Sequence, residues 1–167
     1  MELWDLYNEH RELTRCDHVR GEPIPDGCYH LVVHAWIRNS QGQYLISQRS
    51  ASRPTFPLQW ECVGGSALKG EDSLTAVLRE IKEEVGLGLT KDDGRLLLSQ
   101  FRHNFRDIRD TWRWEYDGEA DLSLATTDEV AQVKWMTVEE IRTLFNSGAM
   151  VHTMEYFFTE VLPQADR

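Results

Sequence analysis

The densest group of charged side chains in this sequence lies in one short stretch, residues 65–87. It holds four glutamates and one arginine between two glycines; in order, they are Gly65, Glu71, Arg79, Glu80, Glu83, Glu84 and Gly86. Carboxylate oxygens are the ligands that hard divalent cations such as Mg²⁺ and Mn²⁺ prefer. An arginine among them can hold the carboxylates in a fixed orientation. The stretch therefore predicts an oxygen-rich site for a divalent cation.

A helix over residues 73–85 is predicted to position these carboxylates, with Asp72 or Ser73 as its cap and Gly86 at its end. Apolar residues recur there at three- and four-residue spacing, namely Leu74, Val77, Leu78, Ile81 and Val85. The glutamates fall on the opposite arc. Glu80 and Glu84 stand at i and i+4, where like charges repel by some tenths of a kcal/mol. Charge alone leaves open a second interpretation, a solvated acidic face.

The whole stretch resembles the signature box of the Nudix hydrolases, with no position missing. An acidic surface helix has no need of Gly65, Arg79 or Gly86, yet each stands where the family has it. The resemblance implies an α+β fold, a Nudix-type α/β/α sandwich with a mixed β-sheet. It also implies hydrolysis of a diphosphate linked to another group, typically a nucleoside, with Mg²⁺ or Mn²⁺ as the cofactor.

The resemblance also implies residue roles. It assigns the metal site to the carboxylates Glu80, Glu83 and Glu84 and to the backbone at Gly64. It assigns catalytic roles to Glu71, Arg79, Glu80 and Glu83, in which Glu71 supports Arg79 and the metal shell. Within the box, Glu80 is the first candidate for the base that deprotonates water; Glu129 is a weaker candidate outside it, and it also fits a surface acid at the end of a loop.

Two further groups are candidates for substrate binding. Arg49 and Arg53 flank the loop before the box and are predicted to hold phosphate oxygens, although they also fit exposed loop arginines. Aromatic residues alternate along a predicted strand at Trp112, Trp114 and Tyr116. A nucleotide base can stack on such a ladder, but aromatic residues at this spacing more often pack a core.

Stretches outside the box resemble Nudix proteins related to isopentenyl-diphosphate isomerase, namely residues 29–37, 48–50 and 128–136. An isomerase is therefore one alternative function. The isomerases have a catalytic cysteine where this chain has Gly64, and their box is degenerate. Cys62 fits a small buried residue instead. A second alternative is a non-catalytic Nudix-fold ligand-binding module, which does not require an intact box.

The elements around the box indicate one domain at residues 28–167, preceded by an N-terminal extension at residues 1–27 that is expected to pack on the domain. Strands are predicted at residues 29–38, 43–48 and 60–63 before the box, and near residues 96–103, 111–120 and 130–136 after it. Thr137 to Glu140 has the form of a capping box and is expected to open a helix that runs to Ser147. A last amphipathic helix is predicted over residues 151–162.

Bulk charge narrows the function classes. The chain has 28 acidic and 18 basic residues and a formal net charge of −10, which argues against a nucleic-acid partner. It shows no apolar run long enough to cross a membrane and no signal-peptide pattern at its start. Three cysteines without metal-like spacing favour a reduced, cytoplasmic protein. The expected partner is a small-molecule diphosphate; the sequence leaves the oligomeric state open.

Overall fold

The computed structural model describes residues 1–165, and its centre is one mixed β-sheet of nine strands. The strands are β1 (Leu3–Tyr7), β2 (Leu13–Val19), β3 (Tyr29–Arg38), β4 (Tyr44–Arg49), β5 (Trp60–Glu61), β6 (Val63–Ser66), β7 (Gly94–Arg102), β8 (Asp107–Glu115) and β9 (Val130–Met136). The α-helices are α1 (Ser73–Val85) and α2 (Val138–Asn146).

Strand β3 is the hub of the sheet. It pairs antiparallel with β1, β4 and β6, and parallel with β8 over its length from His30 to Arg38. Strand β7 joins the far side of β8, and β4 carries β5 and β9. The parallel β3–β8 pair among antiparallel neighbours confirms the predicted mixed sheet.

The alternation of β3 separates two hydrophobic cores, because successive side chains of a strand point to opposite faces. Leu31, Val33 and Ile37 pack with the apolar side of α1 on one face. Trp36 points to the other face and stacks on Phe157 with ring centroids 4.5 Å apart, in the core that also includes residues of α2. Helical layers therefore cover both faces, and the predicted α/β/α sandwich is confirmed.

The box helix begins and ends where the sequence predicts. Asp72 caps α1 by accepting a 2.7 Å hydrogen bond from the Thr75 N–H. Gly86 ends the helix in the left-handed region at φ 71°, where a side chain is disfavoured. Thr137 and Glu140 form the predicted capping box of α2.

Three segments differ from the sequence-based description. The strand predicted near residues 111–120 is β8, which begins and ends earlier, at Asp107–Glu115. Its start was not recognised because the first half of β8 buries polar side chains and so lacks an apolar pattern. The N-terminal residues 1–27 contain a hairpin, β1–β2, which extends the sheet beside β3. β2 has mostly exposed side chains and so shows no apolar alternation.

The third difference is the C-terminal segment. In place of a regular α-helix, it has short 3₁₀ turns at His152–Glu155 and Leu162–Gln164 around a π-helical turn at Phe157–Val161. Pro163 lacks an N–H donor, which is compatible with a break in helical hydrogen bonding near it. Within the described residues, no helix combines the length and apolar character that crossing a membrane requires.

Candidate active site

Arg79 is the centre of the charged cluster on α1. Its Nε and Nη2 donate to the two carboxylate oxygens of Glu71 at 2.7 and 2.9 Å, and Nη2 also reaches the Ser66 carbonyl at 3.1 Å. Its Nη1 donates to Glu80 and Glu83 at 3.0 Å each. One planar guanidinium thus orients three carboxylates and fixes the loop before α1 against the helix.

Glu71 is held in its charged form by this arrangement. Burial by itself raises the pKa of Glu71, but the hydrogen bonds from Arg79 and from the Leu68 N–H outweigh it, and the pKa is lowered. The charged form of Glu71 is therefore favoured, and its two hydrogen bonds to Arg79 are those expected of the supporting residue that the family resemblance implies.

Glu80 lies over the backbone of Gly65. A Cβ atom at residue 65 would lie 2.3 Å from Oε1 of Glu80, so only glycine permits this approach. The Glu80 side chain is 11% exposed. Burial raises the pKa of Glu80 to about 7, against the opposing effect of the Arg79 charge.

Glu84 is the least compensated carboxylate of the cluster. It is 6% exposed and accepts a 3.2 Å hydrogen bond from the Gly64 N–H. Among residues 1–165, no arginine or lysine forms an ion pair with Glu84. Burial, followed by the negative charges of Glu80 and Glu61, raises the pKa of Glu84 well above its usual range.

The two glycines at the start of the box act through close packing. Neither has a positive φ, so a left-handed turn is not the reason for glycine at either position. A Cβ atom at Gly64 would lie 2.2 Å from the Val33 carbonyl oxygen, and one at Gly65 would meet Glu80. The glycines therefore let β6 lie against β3 on one side and admit the carboxylate on the other.

The chemistry of this cluster fits a divalent cation, although its carboxylates are not arranged as a finished cage. In the part of the chain that the structure describes, no three acidic, histidine or cysteine side chains are grouped closely enough to hold a metal ion. Glu80 and Glu83 both face the Arg79 guanidinium. The uncompensated Glu84 supplies the argument for fit, because a buried carboxylate without a cation is costly and a bound cation relieves that cost.

The two arginines predicted to bind phosphate are both engaged in ion pairs. Nη1 of Arg49 lies 2.6 Å from Oε1 of Glu61, and its Nε donates to the Thr55 carbonyl at 2.9 Å. Arg53 pairs with Glu129 at 2.5 Å. Arg49 and Arg53 are therefore held beside the box by acidic partners and are not free loop cations.

Glu61 lies beside the candidate site, paired with Arg49, and was not among the residues predicted from the sequence. The sequence carried one signal: Trp60 and Glu61 are neighbours in a strand, so their side chains point to opposite faces of the sheet. Trp60 is buried in the core beneath α2, and Glu61 therefore points to the face where α1 lies. Burial raises the pKa of Glu61, with Arg49 opposing. Glu129, the weaker candidate base, joins the same region through Arg53 and is 35% exposed at its side chain.

The aromatic ladder on β8 belongs to the core. Trp114 is fully buried and donates from Nε1 to the Thr90 carbonyl at 2.8 Å. Trp112 packs against the same core and donates to Ser73 at 2.8 Å, on the first turn of α1. Tyr116 also packs there. The core interpretation of this ladder is supported over stacking with a base.

A groove beside Arg79 and Glu83 opens the cluster to solvent. Its lining comes from the outer side of α1 and the segments that follow it, namely Leu78, Arg79, Lys82, Glu83, Leu87, Gly88, Leu89 and Thr126. The charged end of α1 is thus reachable from outside, while Glu80 and Glu84 lie on its inner side against β6. The predicted position opposite the apolar stripe is therefore wrong for these two glutamates, since Glu84 is only about 20° from Val77 around the helix.

Comparison with known proteins places this geometry in a family. The family model for the NUDIX domain matches residues 29–158. An uncharacterised Nudix hydrolase of Listeria innocua is 42% identical over 165 residues, which are 97% of this chain and 94% of the relative. A crystal structure from Deinococcus radiodurans, 26% identical, superposes with a TM-score of 0.76 over 99% of this chain and 100% of that one. An isopentenyl-diphosphate Delta-isomerase of Shigella flexneri is 32% identical, over only 50% of this chain and 46% of its own length.

Proposed function

This chain belongs to the Nudix hydrolase family, and from that premise we propose that it is a pyrophosphohydrolase that depends on Mg²⁺ or Mn²⁺. Its substrate class is a small molecule in which a nucleoside diphosphate is linked to another group, and water attacks the P–O–P linkage. The observation that carries the proposal is Glu84, a buried carboxylate with a raised pKa and no cationic partner among the described residues.

The proposed ligands of the cation are the carboxylates of Glu80 and Glu84, with Glu83 and the Gly64 backbone as further ligands. A bound divalent cation neutralises charge on the phosphate oxygens and lowers the pKa of the attacking water. Arg79 and Glu71 keep the carboxylates oriented, which the five hydrogen bonds of Arg79 support.

The proton and the phosphate oxygens are assigned to other groups. Glu80 is the first candidate to accept the proton of the attacking water, because it lies over Gly65 at the inner end of the cluster. Glu129 is the second candidate. Arg49 and Arg53 are proposed to bind the terminal phosphate oxygens, since both lie on the segment that leads into β5 and the box.

The isomerase alternative is not favoured by the local packing. That activity requires a cysteine side chain at residue 64 in the related enzymes, and the backbone here leaves no room for a Cβ atom at Gly64. A cytoplasmic location and the absence of a nucleic-acid partner remain part of the proposal. They are supported by free cysteines at Cys16, Cys28 and Cys62 and by the net charge of −10.

The test is a screen for release of phosphate and pyrophosphate from nucleoside diphosphate derivatives with Mg²⁺ or Mn²⁺, run beside Glu84→Gln. We expect the substitution to lower turnover by at least about 100-fold, since it removes a carboxylate from the metal site. Glu155→Gln, at an exposed residue on the C-terminal segment, is the matched control. A folded Glu84→Gln protein with the wild-type rate would contradict the metal-ligand assignment. The released fragment identifies the bond that is cleaved.

A further inference from the structure

Two arginine–glutamate pairs border the proposed metal site, and each joins a group suited to phosphate with a group suited to a cation. Arg49 lies 2.6 Å from Glu61, with side chains 12% and 20% exposed. Arg53 lies 2.5 Å from Glu129, with side chains 21% and 35% exposed. The four residues sum to zero charge. Neither arginine is therefore a free anion site, and neither carboxylate is a free cation site.

Backbone connections place both pairs at the edge of the metal site. Glu61 on β5 lies three residues before Gly64. The Gly64 N–H donates a hydrogen bond to the carboxylate of Glu84. Glu129 follows a segment fixed to the end of α1, because the Glu83 carbonyl accepts hydrogen bonds from the N–H groups of Thr126 and Thr127 at 3.0 and 3.3 Å. The Glu129 carbonyl in turn accepts from the Ser50 N–H at 2.8 Å.

Arg49 has hydrogen-bond donors beyond those that its present partners engage. Arg49 has five N–H donors, and its hydrogen bonds engage three of them, through Glu61, the Thr55 carbonyl and the Thr55 hydroxyl at 3.3 Å. Arg53 is connected by its pair with Glu129. The Arg53–Glu129 pair is partly exposed, and such pairs contribute little net stability, so an incoming ligand displaces a partner at low cost. The Arg49–Glu61 pair is more buried, so its exchange requires that both of its members gain a new partner.

On this basis we propose that Arg49–Glu61 and Arg53–Glu129 are exchangeable ion pairs that couple cation binding to diphosphate binding; this rests on the function proposed above. When a divalent cation and a diphosphate arrive together, the two carboxylates turn towards the cation and the two arginines turn towards the phosphate oxygens. Each ligand thereby releases the binding groups of the other. A cation alone or a diphosphate alone must break a pair and leave one member without a partner.

The first arm of the test uses methylenediphosphonate, a non-hydrolysable diphosphate, in EDTA so that no divalent cation is present. Glu61→Gln and Glu129→Gln each free an arginine, so each is expected to bind the probe more tightly than the wild type. The gain is expected to be about two- to fivefold for Glu129→Gln, the equivalent of one partly exposed ion pair, and at least as large for Glu61→Gln. Isothermal titration calorimetry measures this. Glu115→Gln is the matched control, because it removes the same charge from an arginine pair, Arg113–Glu115, on β8.

The second arm is reciprocal and uses Mn²⁺ alone, followed by electron paramagnetic resonance. Arg49→Gln and Arg53→Gln each free a carboxylate, so Mn²⁺ binding is expected to tighten by about two- to fivefold. Arg113→Gln controls for the lost positive charge.

Both arms include a variant of the more exposed Arg53–Glu129 pair. Because Glu61 is the more buried acid, that pair keeps the test decisive if Glu61→Gln does not fold.

The outcomes separate the exchange from the function on which it rests. Tighter binding in both arms, without it in the controls, supports exchange. Equal or weaker binding in the four variants, with wild-type binding intact, shows that the pairs are static supports and overturns the exchange while leaving the pyrophosphohydrolase proposal standing. A wild-type protein that binds neither probe, alone or together, overturns both.

Discussion

The protein buries carboxylates in two regions, and only on β8 does an arginine pair with each of them; in the box helix Arg79 pairs with the buried Glu80 but not with the buried Glu84. On β8, Asp110 is fully buried, and Arg11 donates to both of its oxygens at 2.8 and 2.6 Å. Asp107, on the same strand, receives two hydrogen bonds of 2.7 Å from Arg102. In the box helix, Glu84 is 6% exposed and has a backbone N–H as its hydrogen-bond donor.

The difference shows in the proton affinities of the two regions. Burial raises the pKa of Asp110, but hydrogen bonds from Arg11, Ser73 and Ser99 outweigh it and the pKa is lowered. The pKa of Glu84 is raised, because nothing comparable opposes burial and its acidic neighbours. A buried carboxylate that is paired with an arginine stabilises the fold, whereas Glu84, which has no such partner among the described residues, is the group proposed to bind a cation from solution.

The largest expected contrast is in stability. Asp110→Asn leaves Arg11 without its partner and is expected to lower the free energy of unfolding by about 2–3 kcal/mol, after a discount for the 36% exposure of the Arg11 side chain. Glu84→Gln removes an uncompensated charge and is expected to cause no loss at pH 8 in EDTA. Urea unfolding of both variants measures the difference. Equal destabilisation by the two substitutions would break the comparison.

The stability of the metal-free protein is expected to depend on pH through Glu80, in the box helix. The folded pKa of Glu80 is about 7 against 4.5 in the unfolded chain, so the folded state holds the proton more tightly. That stabilisation is complete below pH 4.5 and is lost as the pH rises through 7, by about 3 kcal/mol.

Asp110 has the opposite sign. Its pKa is lowered from 3.8, so its stabilisation is present above pH 3.8 and is lost as the pH falls through the folded value. Between pH 5 and 8 only the titration of Glu80 matters in this comparison, so the urea midpoint in EDTA should decrease as the pH rises. Glu80→Gln should make the urea midpoint less dependent on pH. A slope unchanged by Glu80→Gln would locate the titration elsewhere.

The smallest expected effect concerns the residue that supports Arg79. Glu71→Gln weakens two of the five hydrogen bonds of Arg79, so cation affinity and turnover should each fall by about tenfold while the urea midpoint changes little. Asp17→Asn serves as the control, because it removes an exposed partner of Lys69 in the loop before α1. A loss of stability without a loss of cation affinity would make Glu71 a fold residue like Asp110.

Local features of the fold followed directly from the sequence. The helix Ser73–Val85, its cap at Asp72 and its end at Gly86 were predicted because caps and apolar spacing act within a few residues. The same holds for β3, for β9 and for the capping box at Thr137. The grouping of Arg79 with Glu71 and Glu80 was also predictable, since the three lie within ten residues along one loop and helix. The assignment of these residues to catalysis stays a prediction.

Long-range pairing decided the rest, because residues distant in the chain meet only when the sheet assembles. Arg11 and Asp110 are 99 positions apart, and no local pattern links them. Glu61 entered the site only because β5 pairs with β4 beside Arg49. The sequence by itself determined the box, its helix and the excess of negative charge along it. Tertiary structure decided which carboxylates pair with an arginine side chain, since the burial of a carboxylate and the charges around it depend on the neighbours that folding supplies.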